Sequence, residues 1–175
     1  MRSWVSKHRK QVAIHFCVIA GFLVFTLVAA EPLFDRMERV AGEAQVHQFD
    51  LPAETGGMRS SIGTLETDGQ KAVEIRGWAF IEDQDSENSD VYIVLESADR
   101  RHIFDTMVHM RPDVTEHFAE TGLELDCSGF LALIPARRIA DGEYTVGIYI
   151  RKGDAEALQY TDRTITKAGA TIETG

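Results

Sequence analysis

Ala72-Val73-Glu74-Ile75-Arg76-Gly77-Trp78-Ala79-Phe80-Ile81 alternates along its length. Val73, Ile75 and, past Gly77, Ala79 and Ile81 fall on one face. Side chains of a strand point to opposite sides in turn, so this two-residue period marks a half-buried strand rather than a helix. Gly77 beside Trp78 suggests a bulge, or close packing of the backbone under a large ring. The same kind of signal repeats on both sides. Residues 59–66 form a short alternating run ended by Thr67-Asp68-Gly69, a turn. Residues 90–95 are rich in β-formers, and 102–110 alternate more loosely. Residues 128–134 form an apolar strand closed by Pro135. Tyr144-Thr-Val-Gly-Ile-Tyr-Ile150 is the clearest strand, followed by a turn at 151–154, and 158–166 is the last.

That makes seven strands across residues 58–167, spaced as in sandwiches and interrupted by one helical turn at 112–118. The expected fold is all-β: an Ig/FnIII-like antiparallel β-sandwich of about seven strands. Trp78, Phe80, Tyr92, Phe130, Tyr144 and Tyr149 are the aromatic candidates for its core.

Outside this body the composition changes abruptly. Residues 1–30 contain no Asp or Glu, and residues 31–175 hold all 28. Arg2, Lys7, Arg9 and Lys10 precede a 19-residue apolar run, Val12 to Ala30. As a helix that run reaches about 28 Å, close to the thickness of a hydrocarbon core. The expected order is a cytoplasmic basic head (1–10), a transmembrane signal-anchor helix (11–30), a stalk or linker (31–57), the extracytoplasmic sandwich (58–167) and a flexible tail (168–175). The excess of basic residues puts the head inside. Val28-Ala29-Ala30 also fits a signal-peptidase site, so cleavage is the alternative to an anchor. Past residue 30, 14 basic residues face 28 acidic ones, a net charge of −14. Such a body repels nucleic acid, which is excluded as a partner.

In the stalk, Leu33, Met37, Val40 and Ala44 recur at helical spacing, over too few turns for a coiled coil. Leu51-Pro52-Ala53-Glu54-Thr55-Gly56 approaches a sortase signal, but its Thr is displaced by one residue and no apolar tail follows. It reads as a linker. Cys17 and Cys127 cannot pair within one chain if the first lies in a membrane helix. Cys127 reads as a packed thiol.

Several motifs occur together: Gly77-Trp78-Ala79-Phe80, Val91 to Leu95, Arg111-Pro112-Asp113-Val114 with Phe118, Ser128-Gly129-Phe130, Asp141-Gly142-Glu143-Tyr144, Gly147 to Ile150 and Tyr160-Thr161-Asp162. The combination resembles a β-sandwich module that recurs in bacterial cell-envelope proteins. Some copies are fused to glycosyltransferases or polytopic membrane proteins of surface-polysaccharide assembly. Others stand alone behind one membrane helix. The resemblance covers about residues 70–167 and implies an accessory module without established catalytic residues, so no site transfers.

No catalytic set emerges from the residues. Asp83, Asp85 and Glu87 alternate like calcium ligands, yet the loop lacks the required Gly at its sixth position and Glu at its twelfth. The six histidines show no metal-binding spacing. Ser128, His102 and Asp126 lack a nucleophile-elbow context. No metal or cofactor is expected. Arg111 and Asp113 are the candidates for ligand or partner contact, because a planar guanidinium suits carboxylates and phosphates. Arg111 equally suits a bracing role, paired with Asp113 or Asp126. The expected function is a non-catalytic, membrane-anchored module contacting an envelope protein or a glycan. An enzyme of envelope-glycan modification, or a secreted carbohydrate-binding domain, is the alternative.

Overall fold

A computed structural model describes residues 42–69 and 71–175, together with Ile19. The chain divides into two compact units, Met1–Gly42 and Glu43–Gly175. The basic head, the anchor apart from Ile19, and the first part of the stalk lie outside the described residues. Among the described residues no helix is long and apolar enough to cross a membrane.

The second unit is all-β, built from ten strands: β1 (Val46–His47), β2 (Met58–Thr67), β3 (Ala72–Ile81), β4 (Asp90–Glu96), β5 (Arg101–Asp105), β6 (Met107–His109), β7 (Gly129–Pro135), β8 (Gly142–Lys152), β9 (Ala155–Ala168) and β10 (Thr171–Thr174). One short helix, α1 (Pro112–His117), lies between β6 and β7. Every strand pair is antiparallel. The strands form a six-stranded sheet, β1-β5-β4-β8-β9-β10, and a four-stranded sheet, β2-β3-β7-β6.

The alternation read along β3 is what joins the sheets. Val73 and Ile75 point inward, opposite Ile134 and Ala132 of β7, and all four are buried. They meet Ile93, Leu95, Tyr144, Val146 and Ile148 of the other sheet in one continuous cluster. Removing these side chains from water is the main force holding the sheets together. Gly77 lies under a ring as expected, but the ring belongs to Phe130. A Cβ at Gly77 would stand 2.6 Å from Phe130 Cζ and 2.2 Å from the Ser61 carbonyl. The bulge is in the neighbouring strand, between Ile62 and Thr64.

All seven expected strands are present, with four differences. The 102–110 run is two strands in different sheets. The chain crosses over at Thr106, whose hydroxyl donates to the Val91 carbonyl at 2.8 Å. The expected linker up to residue 57 belongs to the sandwich from Glu43 onward. Ala44 is buried in the core and Phe49 and Leu51 pack on the outer face of the six-stranded sheet. The expected tail 168–175 turns back at Gly169 and pairs as β10 with β9, burying Ile172. Trp78 is not a core residue. It shares the outward face of β3 with Phe80, away from the inter-sheet core, and is half-buried.

Tyr144, at the start of β8, donates its hydroxyl to the Ala140 carbonyl at 3.0 Å. This ties the corner before the strand to the strand itself.

Candidate functional site

Arg111 is the residue that caps α1, and Pro112 opens the helix, where its missing N–H costs nothing. The helix has a single buried residue, Val114. With Phe118 and Leu125 it covers Phe80 on the outer face of the four-stranded sheet. Trp78 completes this cluster. Its ring stacks on Phe80 at 5.8 Å between centroids and meets Phe118 edge-on at 5.4 Å, both favourable geometries for aromatic pairs. Arg59 lies over the Phe118 ring at 5.4 Å and pairs with Glu82 at 3.2 Å.

The loop is held by its backbone and by Asp126. Arg111 N–H donates to the Asp126 carbonyl at 2.8 Å. The Asp126 carboxylate accepts from Thr115 Oγ1 at 2.5 Å, and Thr115 Oγ1 accepts from Leu125 N–H at 3.0 Å. The Arg111 guanidinium goes elsewhere. It donates through Nε and Nη2 to both oxygens of Asp113, at 2.8 and 2.6 Å. Of the two pairings expected for Arg111, the structure has the one with Asp113. This hydrogen-bonded fork holds the Asp113 carboxyl below its usual range and raises Arg111 above its own. The fork is open to solvent, with the Asp113 side chain 62% exposed.

The Arg111 stem crosses Gly129, which is paired directly with Trp78. A Cβ at Gly129 would stand 2.5 Å from Arg111 Cγ, so only glycine lets the stem lie there. Arg111, Trp78 and the outward row of Arg76, Leu131 and Met107 therefore share one face. At its edge Met107 is exposed, as is Met110 just beyond β6. Cys127 is half-buried there, with its sulfur 3.9 Å from that of Met110.

The remaining sequence candidates are dispersed. His102, on β5, packs against Phe104 and against Tyr144 of β8, and burial pushes its imidazole below the ordinary value. Asp126 is engaged by Thr115, and Ser128 is buried with an unpartnered hydroxyl. No hydrogen bond joins these three among the described residues. The acidic 82–90 loop docks onto the 124–127 segment. Asp85 accepts from Glu124 N–H at 2.8 Å, and buried Ser86 bonds to Glu124 and Cys127. Among the described residues no three His, Cys, Asp or Glu side chains gather to hold a metal.

The sequence reading missed how the outer face of the six-stranded sheet is covered. Residues 43–57 form a strap across it. Ala44 N–H donates to Leu133 of the four-stranded sheet, β1 pairs with β5, and Thr55 exchanges hydrogen bonds with the Leu158 backbone on β9. Phe49 and Leu51 thereby sit over Tyr92, Tyr149 and Leu158. Tyr149 is buried and donates to Glu156 at 2.7 Å. Burial first, and that bond second, push its hydroxyl up to about 12. The signal available in the sequence was Phe49 and Leu51 themselves, two large apolar residues in a stretch otherwise reading as a linker.

No family model matches this chain, and neither a curated protein nor a solved structure matches it.

Proposed function

We propose that this chain is a non-catalytic, membrane-anchored extracytoplasmic interaction module of the bacterial cell envelope, linked to surface-glycan assembly. It meets its partner through the outer face of the four-stranded sheet. The observation that carries this reading is the Arg111–Asp113 fork, laid over Gly129 beside a half-buried Trp78, with exposed Met107 on the same face. Arginine, tryptophan and methionine are the residues enriched where proteins meet, and an aromatic beside a charged fork provides both contact area and orientation. The basic head and acid-free apolar run support an anchor at 11–30, with the body outside. An Ig/FnIII-like assignment of the sandwich is supported by the Tyr144 hydroxyl bonding back to Ala140, since such tyrosine corners are a hallmark of those folds.

The test is cross-linking and co-purification of the full chain from bacterial membranes, with Arg111→Ala and Leu131→Asp beside the wild type. Specific capture of a membrane protein, lost in both variants, is the expected result. Equal capture by all three forms would remove this face from the function. Protease added outside intact spheroplasts should digest the body, and protection of the body would overturn its outside placement.

A further inference from the structure

The strap leaves part of the six-stranded sheet's outer face uncovered, beyond Tyr160. There the face sinks into an open depression of about 520 Å³, lined by Glu96, Ser97, Ala98, Glu143, Thr145 and Tyr160. Its shape is set by the backbone. β9 carries two more residues than β8 between the Thr145–Thr164 and Gly147–Tyr160 pairs, and Thr161 secures this bulge by donating to the Val146 carbonyl at 2.8 Å. Tyr160 then lies over Gly147. A Cβ at Gly147 would stand 2.9 Å from two atoms of the tyrosine ring, so a side chain there would lift the ring. The Tyr160 hydroxyl is shielded from water and has no partner among the described residues. A shielded hydroxyl is out of a ligand's reach, so Tyr160 borders the depression with its other side-chain atoms.

The walls restrict what fits. Glu96 is neutralised by Arg101 at 2.5 Å, while Glu143 is exposed and has no ionic or side-chain hydrogen-bond partner among the described residues. One free carboxylate on a body of net charge −14 repels phosphates and acidic sugars. One free carboxylate is also too few for a divalent cation, which takes six or more oxygens. The acids and hydroxyls around the rim disfavour a purely apolar ligand. A neutral saccharide meets all these conditions. Its hydroxyls donate to Glu143 and pair with Thr145, and its C–H face lies against the Tyr160 side chain.

We propose that this depression is a binding site for a neutral saccharide, with Tyr160 as its floor and Glu143 as its principal acceptor. The site lies on the opposite sheet from the Arg111 face and does not depend on which partner that face meets. The experiment probes the full chain in lipid nanodiscs, free of glycoside detergents, on an array of neutral and uronic-acid oligosaccharides. Calorimetry then follows with the best neutral tetrasaccharide. Binding confined to neutral glycans is expected. Glu143→Gln should weaken it about tenfold with unchanged melting. Tyr160→Phe removes only the shielded hydroxyl, so it should leave glycan binding unchanged. Absence of glycan binding, preference for acidic glycans, or equal binding by Glu143→Gln would each overturn the site. Arg111→Ala should leave glycan binding intact, so failure here and failure of the partner face give different results.

Discussion

The two outer faces of the sandwich each carry an aromatic cluster, and the chain covers them in different ways. On the four-stranded sheet the cover is α1 and the 118–125 segment, inserted between β6 and β7 of that same sheet. It closes fully over Phe80, which is 1% exposed. On the six-stranded sheet the cover is the 43–57 strap, which carries only two large apolar residues, Phe49 and Leu51, each half-buried. An insert anchored at both ends to one sheet is packed as part of its core. The strap begins as β1, the edge strand of that sheet, and is tied to it again at Thr55, with Phe49 and Leu51 as its large apolar contacts between these points. The first cover is expected to open only with global unfolding, and the second to open locally at lower free energy.

This contrast is broken or sharpened most strongly by a matched pair of truncations. Phe80→Ala should lower the unfolding free energy by about 3–5 kcal/mol, the usual cost of deleting a buried phenylalanine. Phe49→Ala should cost about 1–2 kcal/mol, because the ring is only half removed from water. Urea denaturation of the two variants measures the difference. Limited proteolysis should also cut within 43–57 faster in Phe49→Ala than in Phe80→Ala at equal native fraction. Equal stability losses, or equal cleavage, would show that the strap is as much a part of the core as the helix is.

A smaller effect comes from alkaline titration of the strapped face. Tyr149 is held above its ordinary value by burial and by its bond to Glu156. The folded state therefore keeps a proton that the unfolded chain loses first. This contribution to stability is complete below about pH 10, the ordinary tyrosine value, and is lost as pH rises toward about 12. Tyr149→Phe should flatten the fall in stability across that window. Ultraviolet absorbance at the phenolate band should show a late-titrating tyrosine that disappears in the variant. An unchanged late-titrating tyrosine in Tyr149→Phe would place the shifted group elsewhere.

The two faces were also unequally legible in the sequence. β3 and β8 declare themselves because their inward residues, Val73, Ile75, Val146 and Ile148, alternate with residues of another kind or lie in unbroken β-former runs. The period-two rule reads such strands directly. That rule gives a face but not which side is the core. Trp78 is among the aromatic core candidates of the sequence, yet it shares the outward face of β3 with Phe80. What covers this pair is the later 112–125 segment, a tertiary event that no local pattern records. The strap was misread for a related reason. Pro52, Gly56 and Gly57 mark breaks in regular structure, and a stretch without regular structure still docks when two large apolar residues find a vacant hydrophobic face. The Arg111–Asp113 pairing was legible because the two residues are adjacent in the loop. Its setting over Gly129 and beside Trp78 was not, since these lie on two other strands.

The finest discrimination concerns Arg111 itself. A bracing arginine would leave a buried carboxylate unpaired when removed, a strongly destabilising change. Here the carboxylate is exposed, and the loop is braced instead by Asp126, Thr115 and the Arg111 backbone N–H. Exposed ion pairs contribute little to stability. Arg111→Ala should therefore shift the melting temperature less than Phe80→Ala or Phe49→Ala, while abolishing partner capture. Arg111→Lys keeps the charge but loses the two-pronged geometry, so it should restore melting fully and capture only in part. Because Asp113 is held below the usual carboxyl range, the fork stays ionised until the pH falls through that lowered value. Capture by the wild type should accordingly be flat from neutral pH down to about pH 5. A large melting shift in Arg111→Ala with normal capture would return Arg111 to a bracing role. The four-stranded sheet would then have a closed face in place of a binding one.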